Sequence, residues 1–231
     1  MRNLSEAVVL VVGASGGLGR ELCLSLAARG ARLCLTSRSA DRLLPIAAEA
    51  AQVIVGDLAD PQFPARAVAE TRARFGRLDG VVNAAGVVAF GPLADTTDAT
   101  LEALLAVNLL GPIRLMRAFA AEGEGGFFVS LSGVVAEAPV LGVGAYGASK
   151  AALSHALRVF AMEGRRKRIT VLDARPPHTE TGLASRPLAG TPPRMPAGLL
   201  PREVAERIVL GIEQDEREIP SAVFRSNAAR P

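Results

Sequence analysis

Residues 8–19 read VVLVVGASGGLG, in which the apolar run Val8–Val12 leads directly into a turn that begins at Gly13. A short run that is apolar throughout is typical of a strand covered on both faces, as in a parallel sheet. Glycines between such a strand and a helix let the backbone approach a pyrophosphate, whose charge is attracted to the free N–H groups of the helix start. The stretch therefore predicts a strand, a turn and a helix that together bind a dinucleotide.

The alternation of strand and helix continues along the chain. The predicted strands are Ala7–Val12, Ala31–Thr36, Gln52–Val55, Leu78–Val82, Gly126–Leu131 and Ile169–Asp173, with a short last one at Ala222–Phe224. The predicted helices are Gly17–Ala28, Asp41–Ala50, Pro61–Arg74, Thr97–Ala121, Tyr146–Gly164 and Pro201–Gln214. This order implies right-handed crossovers and an α/β fold, a doubly wound Rossmann-type three-layer sandwich with a mostly parallel sheet of about seven strands.

No linker or change of composition divides the chain, so we expect one domain over residues 1–231. Residues 176–200 are the one long stretch without periodicity. Loops of this length in a compact domain are uncommon and are usually functional. We therefore expect residues 176–200 to form a lid loop over the substrate.

The composition excludes several classes of protein. Of 231 residues, 49% are hydrophobic and 21% charged, which suits a buried core and excludes a disordered chain. The net charge of +3 demands no basic face, so we expect no nucleic-acid partner. No apolar run approaches the roughly 18 residues of a membrane span, so we expect no membrane partner. Cys23 and Cys34 lack metal-ligand spacing. We therefore expect thiols packed as small hydrophobes, no metal and a cytoplasmic location.

The end of the second strand bears on the choice between NAD and NADP. An acidic residue there accepts hydrogen bonds from the ribose 2′-hydroxyl, whereas an Arg neutralises a 2′-phosphate. The sequence has Arg38 at this point and no carboxylate before Asp41. NADP(H) is therefore the expected cofactor, with NAD(H) as the alternative.

Tyr146 is the single tyrosine of the chain, and Lys150 follows it by four residues. Residues four apart lie on one face of a helix. A neighbouring cation stabilises a phenolate and lowers its pKa, which suits a tyrosine that donates and accepts protons near neutral pH. The pair is a candidate catalytic site.

These motifs occur in the order found in the short-chain dehydrogenase/reductase family, and residues 5–220 resemble its compact single-domain type. The glycine turn is similar to the family's Thr-Gly-x-x-x-Gly-x-Gly loop, with Val12 in place of Thr. Asn83–Gly86 resembles its Asn-Asn-Ala-Gly segment, and Tyr146 begins its Tyr-x-x-x-Lys pair. Residues 176–181 resemble the Pro-Gly-x-x-x-Thr segment beside the nicotinamide, with Pro177 where Gly is usual.

The resemblance implies a role for each matching residue. The implied catalytic residues are Asn108, which supports a proton relay through water, Ser132, Tyr146 and Lys150. The implied cofactor-binding residues are Gly13, Ser15, Gly17, Leu18, Gly19, Arg38, Asp57, Leu58, Asn83, Ala84, Gly86, Tyr146, Lys150, Pro176, Thr179 and Thr181. The resemblance also implies a homodimer or homotetramer, with apolar surface from Leu101, Leu105, Leu109, Ala152, Ala156 and Val159.

The position of the substrate-binding serine is open. The family places it 13 residues before the tyrosine, where this chain has Gly133, and Ser132 lies one residue earlier. Either the following loop absorbs one extra residue and Ser132 supplies the hydroxyl, or pleat alternation turns Ser132 away and leaves the Gly133 backbone there. We expect the first arrangement.

Together these features predict an NADP(H)-preferring oxidoreductase that transfers a hydride between the nicotinamide and a carbonyl or secondary alcohol. The apolar residues of 176–200 suggest a mainly apolar small-molecule substrate. The main alternative is a sensor or scaffold that binds the dinucleotide without turnover, which the Ser132 position and Pro177 favour. A nucleotide-sugar epimerase is a weaker alternative, because such relatives usually carry a larger C-terminal part.

Overall fold

The computed structural model describes residues 1–122 and 125–228 and contains one seven-stranded sheet. The strands are β1 (Val8–Val12), β2 (Arg32–Ser37), β3 (Ala50–Val55), β4 (Gly80–Asn83), β5 (Gly126–Leu131), β6 (Ile169–Ala174) and β7 (Glu218–Ile219). All neighbouring strands are parallel, in the order β3-β2-β1-β4-β5-β6-β7. This order confirms the doubly wound sheet.

Helices cover both faces of the sheet. They are α1 (Gly17–Ala27), α2 (Phe63–Phe75), α3 (Asp98–Leu105), α4 (Gly111–Ala121), α5 (Gly144–Glu163), α6 (Pro201–Glu213) and α7 (Ser221–Ala228). One apolar core lies between the sheet and α1 and α6, and it includes Leu22 and Ile208. A second core lies on the opposite face against α2, α4 and α5, and it includes Phe63 and Leu153. Strands buried on both faces explain why their sequences are apolar throughout.

Three predicted elements differ in the structure. In place of the predicted helix Asp41–Ala50, the chain forms a 3-10 helical segment over Ala40–Glu49, and Ala50 begins β3. Residues 222–224 lie in α7 and not in a strand, because three apolar residues have no period that separates helix from strand. The predicted helix Thr97–Ala121 is present, but a π-helical turn at Ala106–Leu110 interrupts it between α3 and α4. Such turns are rare and occur often at functional sites.

The continuous helix Asp98–Ala121 is long and apolar enough, by length and composition, to cross a membrane. In this fold it is a core helix on one side, because Leu104, Leu115 and Phe119 are buried. Its apolar composition is therefore explained in part by packing against the sheet.

The direction of strand addition reverses between β1 and β4. In open parallel sheets, ligands bind in the crevice outside the carboxyl ends of the strands at such a reversal. The turn at Gly13 follows β1, and Ala84 follows β4. The fold therefore places both predicted cofactor segments at one crevice.

Candidate active site

A cavity of about 590 Å³ lies at the carboxyl edge of the sheet. It brings together most of the predicted site residues, namely Gly13, Ser15, Gly17, Leu18, Arg38, Asp57, Leu58, Ala84, Gly86, Ser132, Tyr146, Lys150, Pro176, Thr179 and Thr181. Its remaining walls are largely apolar and include Val87, Val88, Phe90, Val134, Val135, Val140, Val143, Leu183 and Met195.

The turn after β1 forms one end of the cavity. Gly13 has φ 81°, and a Cβ there would lie 2.7 Å from the Ala85 backbone nitrogen, so only glycine fits this turn. A Cβ on Gly17 would lie 2.7 Å from Thr181 Cα, because Thr181, in the segment after β6, lies against the start of α1. The helix start therefore faces the cavity, where its free N–H groups can bind a phosphate.

Two arginines stand at the end of the crevice beyond β2. Arg38 and Arg42 are both exposed and both line the cavity. The Ser37 hydroxyl lies 2.9 Å from the Ser15 hydroxyl, which links the end of β2 to the glycine turn. No sequence motif marked Arg42 as a site residue. It lines the cavity because the 3-10 helical segment Ala40–Glu49 begins soon after β2. This end of the cavity is positively charged.

Lys150 lies on the buried face of α5. Its Nζ donates a hydrogen bond to the Leu131 carbonyl oxygen at 2.7 Å. Burial lowers the pKa of Lys150 to about 8, although the Asp173 carboxylate acts in the opposite direction. A Cβ on Gly86 would lie 3.4 Å from Nζ, so glycine leaves the space beside the ammonium open. Lys150 is therefore a cation that can lose its proton near neutral pH.

Tyr146 stands at the cavity wall at the start of α5. Burial raises the pKa of its phenol to about 12. Burial acts against the expected lowering of this pKa by Lys150, and that lowering stays a prediction. A phenol with this pKa keeps its proton at neutral pH and can donate it.

Asn108 occupies the π-helical turn and is fully buried. Its Oδ1 accepts a hydrogen bond from the Val87 N–H at 3.0 Å, and its Nδ2 donates to the Val87 carbonyl at 2.9 Å. Nδ2 also donates to the Ser149 hydroxyl at 3.1 Å. The amide thus joins the segment after β4 to α5. Its role in a proton relay stays a prediction.

The Ser132 hydroxyl is directed toward Asp173. It donates to Asp173 Oδ1 at 2.5 Å, and none of the surface of Ser132 is exposed. This corrects the expectation that the hydroxyl faces Tyr146, since the proton is already donated and the group is buried. Gly133, at φ 77°, follows it at the cavity wall. This contact agrees better with the alternative arrangement, in which the Gly133 backbone stands at the serine position.

Two predicted cofactor-binding residues, Asn83 and Gly19, are not among the residues that line the cavity. Asn83 donates from Nδ2 to Ser130 at 3.0 Å behind the site. Gly19 lies in α1, where a Cβ would lie 2.1 Å from the Gly13 carbonyl oxygen, so it permits close packing of turn and helix. His178 lines the cavity, whereas His155 is exposed on α5.

A strand, a glycine turn and a helix at the reversal point of a parallel sheet define a dinucleotide-binding protein. A sequence profile of the short chain dehydrogenase family matches residues 7–189. The chain is 32% identical over 195 residues to dehydrogenase/reductase SDR family member 7B of Mus musculus, covering 76% of this chain and 59% of that protein. It is 31% identical over 237 residues to an uncharacterized oxidoreductase of Thermotoga maritima, covering 96% of this chain and 90% of that protein.

A solved structure is also similar to this chain. A short chain dehydrogenase from Burkholderia cenocepacia in complex with NADP matches with a TM-score of 0.83 and 30% identity, over 95% of this chain and 98% of that chain. The chain therefore belongs to the short chain dehydrogenase family. The predicted enzyme class, an oxidoreductase of CH–OH and C=O groups, and a nicotinamide dinucleotide as cofactor are confirmed at this level.

Proposed function

We propose that the protein is an NADP(H)-preferring oxidoreductase that interconverts a carbonyl and a secondary alcohol on a mainly apolar small molecule. The observation that carries this proposal is that Tyr146 and Lys150 share one cavity with the glycine turn after β1. A proton donor and a phosphate site in one cavity are what a nicotinamide-dependent reduction requires.

The residues present fit the cofactor. The start of α1 and the turn at Gly13 provide free N–H groups for the pyrophosphate. Arg38 and Arg42 provide two guanidinium groups for a 2′-phosphate, which supports NADP(H) over NAD(H). When bound, the nicotinamide supplies or takes up the hydride.

The chain's own residues handle the proton and the geometry. In carbonyl reduction, Tyr146 donates its phenolic proton to the substrate oxygen while the hydride adds to the carbonyl carbon. The positive charge of Lys150 stabilises the phenolate that remains. The Ser132 hydroxyl at the end of β5 is already bonded to Asp173, so the phenol is the donor to the substrate oxygen, and Gly133 leaves room beside it.

The cavity wall supports a mainly apolar substrate. Val87, Val134, Val143 and Leu183 are among the residues that line it. Residues 176–200 are tied to the segment after β4 by the hydrogen bonds Leu188 N to Val88 O (2.8 Å) and Phe90 N to Ala189 O (2.9 Å). They can thereby exclude water from the reaction, as a lid does.

A second candidate is a dinucleotide-binding sensor without turnover. The Ser132–Asp173 contact favours it, because it removes a hydroxyl that the family uses on substrate. The complete pair of Tyr146 and Lys150 favours the enzyme.

One experiment separates these candidates. The protein is incubated with NADPH and a panel of ketones, aldehydes and quinones, and NADPH oxidation is followed by absorbance beside Tyr146→Phe. We expect turnover by wild type and loss of turnover in the variant, which keeps NADPH binding. Wild type that binds NADPH and reduces nothing on a broad panel would establish the sensor.

A further inference from the structure

Asp173 is a buried carboxylate at the end of β6, with 2% of its surface exposed. Its Oδ1 accepts a hydrogen bond from Ser132 at 2.5 Å, and its Oδ2 accepts one from Ser154 at 2.6 Å. A buried carboxylate is costly unless its charge is paired and its oxygens are hydrogen-bonded. The two hydroxyls supply hydrogen bonds but no opposite charge.

Both serines belong to the segments that hold Lys150. Ser132 directly follows Leu131, whose carbonyl oxygen accepts the hydrogen bond from Lys150 Nζ at 2.7 Å. Ser154 follows Lys150 by four residues in α5 and therefore lies on the same helix face. Asp173 thus ties the end of β5 and the helix α5 to β6 at the point where Lys150 is anchored.

Several charged groups surround this carboxylate. Just after β6, Arg175 Nε lies 3.8 Å from Asp173 Oδ2, but it also lies 3.5 Å from Glu137, which ends the 3-10 turn after β5. The same guanidinium is bonded to Glu218 of β7, which also pairs with Arg158 of α5 at 3.4 Å. Arg175 is therefore shared among three carboxylates. From α5, Lys150 is a second buried cation whose charge acts on this carboxylate, and its ammonium is hydrogen-bonded to the neutral Leu131 carbonyl and not ion-paired directly with Asp173.

We propose that Asp173 is a positioning residue: its negative charge stabilises the Lys150 ammonium at the Leu131 carbonyl, while its hydrogen bonds to Ser132 and Ser154 join the two segments that carry this contact. The role of Asp173 in catalysis rests on the proposed function, whereas its effect on Lys150 can be tested in the absence of activity. The effect of Asp173 on the pKa of Lys150 agrees with this arrangement. Burial lowers that pKa, and the Asp173 charge raises it because it favours the ammonium.

The first test is the pH profile of carbonyl reduction. Asp173→Asn keeps the size of the side chain and one acceptor oxygen but removes the charge. We expect the alkaline decline of kcat to move to lower pH by about one unit, since a nearby opposite charge shifts a pKa by about 1–3 units. The matched control Ser154→Ala removes a hydrogen bond to the same carboxylate but keeps its charge, so the alkaline decline should move by much less than in Asp173→Asn. An unchanged profile in Asp173→Asn would overturn the proposal.

The second test needs no activity. A double-mutant cycle of Asp173→Asn and Lys150→Met is measured by urea unfolding at pH 7. We expect a coupling of at least about tenfold in the unfolding equilibrium constant, or about 1.4 kcal/mol. The control cycle of Asp173→Asn with Lys167→Met, an exposed lysine, should show none.

Each outcome of the cycle decides the point. No coupling overturns the proposal. If Asp173→Asn does not fold, a double variant that folds supports the proposal, and a double variant that also fails to fold overturns it. Coupling in a protein that reduces no substrate would support the proposal for Asp173 and contradict the proposed function. The failure of one can therefore be distinguished from the failure of the other.

Discussion

Replacing Ser132 by Ala should affect stability far more than catalysis. The hydroxyl donates to a buried carboxylate, and hydrogen bonds to charged groups contribute about 1.5–3 kcal/mol. We therefore expect the free energy of unfolding to fall by about that amount in Ser132→Ala. Asp173 keeps its charge and its bond to Ser154, so kcat should fall by less than about tenfold. Removal of a donor to the reacting oxygen would instead cost about 10²–10³ in kcat.

The assay combines urea unfolding at pH 7 with steady-state kinetics on the fastest carbonyl of the panel. Ser154→Ala is the matched control, because it removes the other hydroxyl from the same carboxylate and should cost a similar amount of stability. A loss of about 10²–10³ in kcat with unchanged stability in Ser132→Ala alone would refute the orientation described for this side chain.

Three further predictions concern the cofactor preference, the titration of Lys150 and the oligomeric state. Arg38→Asp should weaken NADPH binding about ten- to hundredfold in a fluorescence titration and leave NADH binding less affected. The control Arg165→Asp, on an exposed turn, should change neither affinity. Equal wild-type affinities for NADH and NADPH would contradict the role of Arg38. From pH 8 toward the usual lysine pKa, the unfolded chain binds a proton at Lys150 that the folded chain has lost. The free energy of unfolding should therefore rise with pH in this window for wild type and less so for Lys150→Met, and equal slopes would show that Lys150 titrates normally. Sedimentation should give a dimer or tetramer at micromolar concentration that Leu101→Glu weakens, since Leu101 is an exposed apolar residue on α3; a wild-type monomer would exclude this interface.

The fold could be predicted because its signals are local and repeated. The apolar run Val8–Val12, the turn at Gly13 and the strict alternation that follows leave few topologies, since parallel crossovers are right-handed. Tyr146 and Lys150 could be paired because helical spacing of four fixes a shared face. The prediction of a strand at Ala222–Phe224 was wrong because three residues are too few to show a period.

The direction of Ser132 could not be read from the sequence. It depends on the backbone at Gly133 and on Asp173, which lies 41 residues further along the chain. The pKa of Tyr146 has a similar origin, because the sequence shows a lysine one turn away but not the burial that acts against it. Such features depend on contacts between distant segments.

The most direct test of the central claim is transfer of deuterium from NADPH that is labelled at both C4 positions of the nicotinamide. Wild type and Tyr146→Phe are each incubated with labelled NADPH and the carbonyl panel, and the alcohol products are analysed by mass spectrometry. The account predicts that wild type yields an alcohol with deuterium on the former carbonyl carbon and that Tyr146→Phe, while still binding NADPH, yields almost none. Label-free alcohol from wild type, or equal labelled product from both proteins, would contradict it.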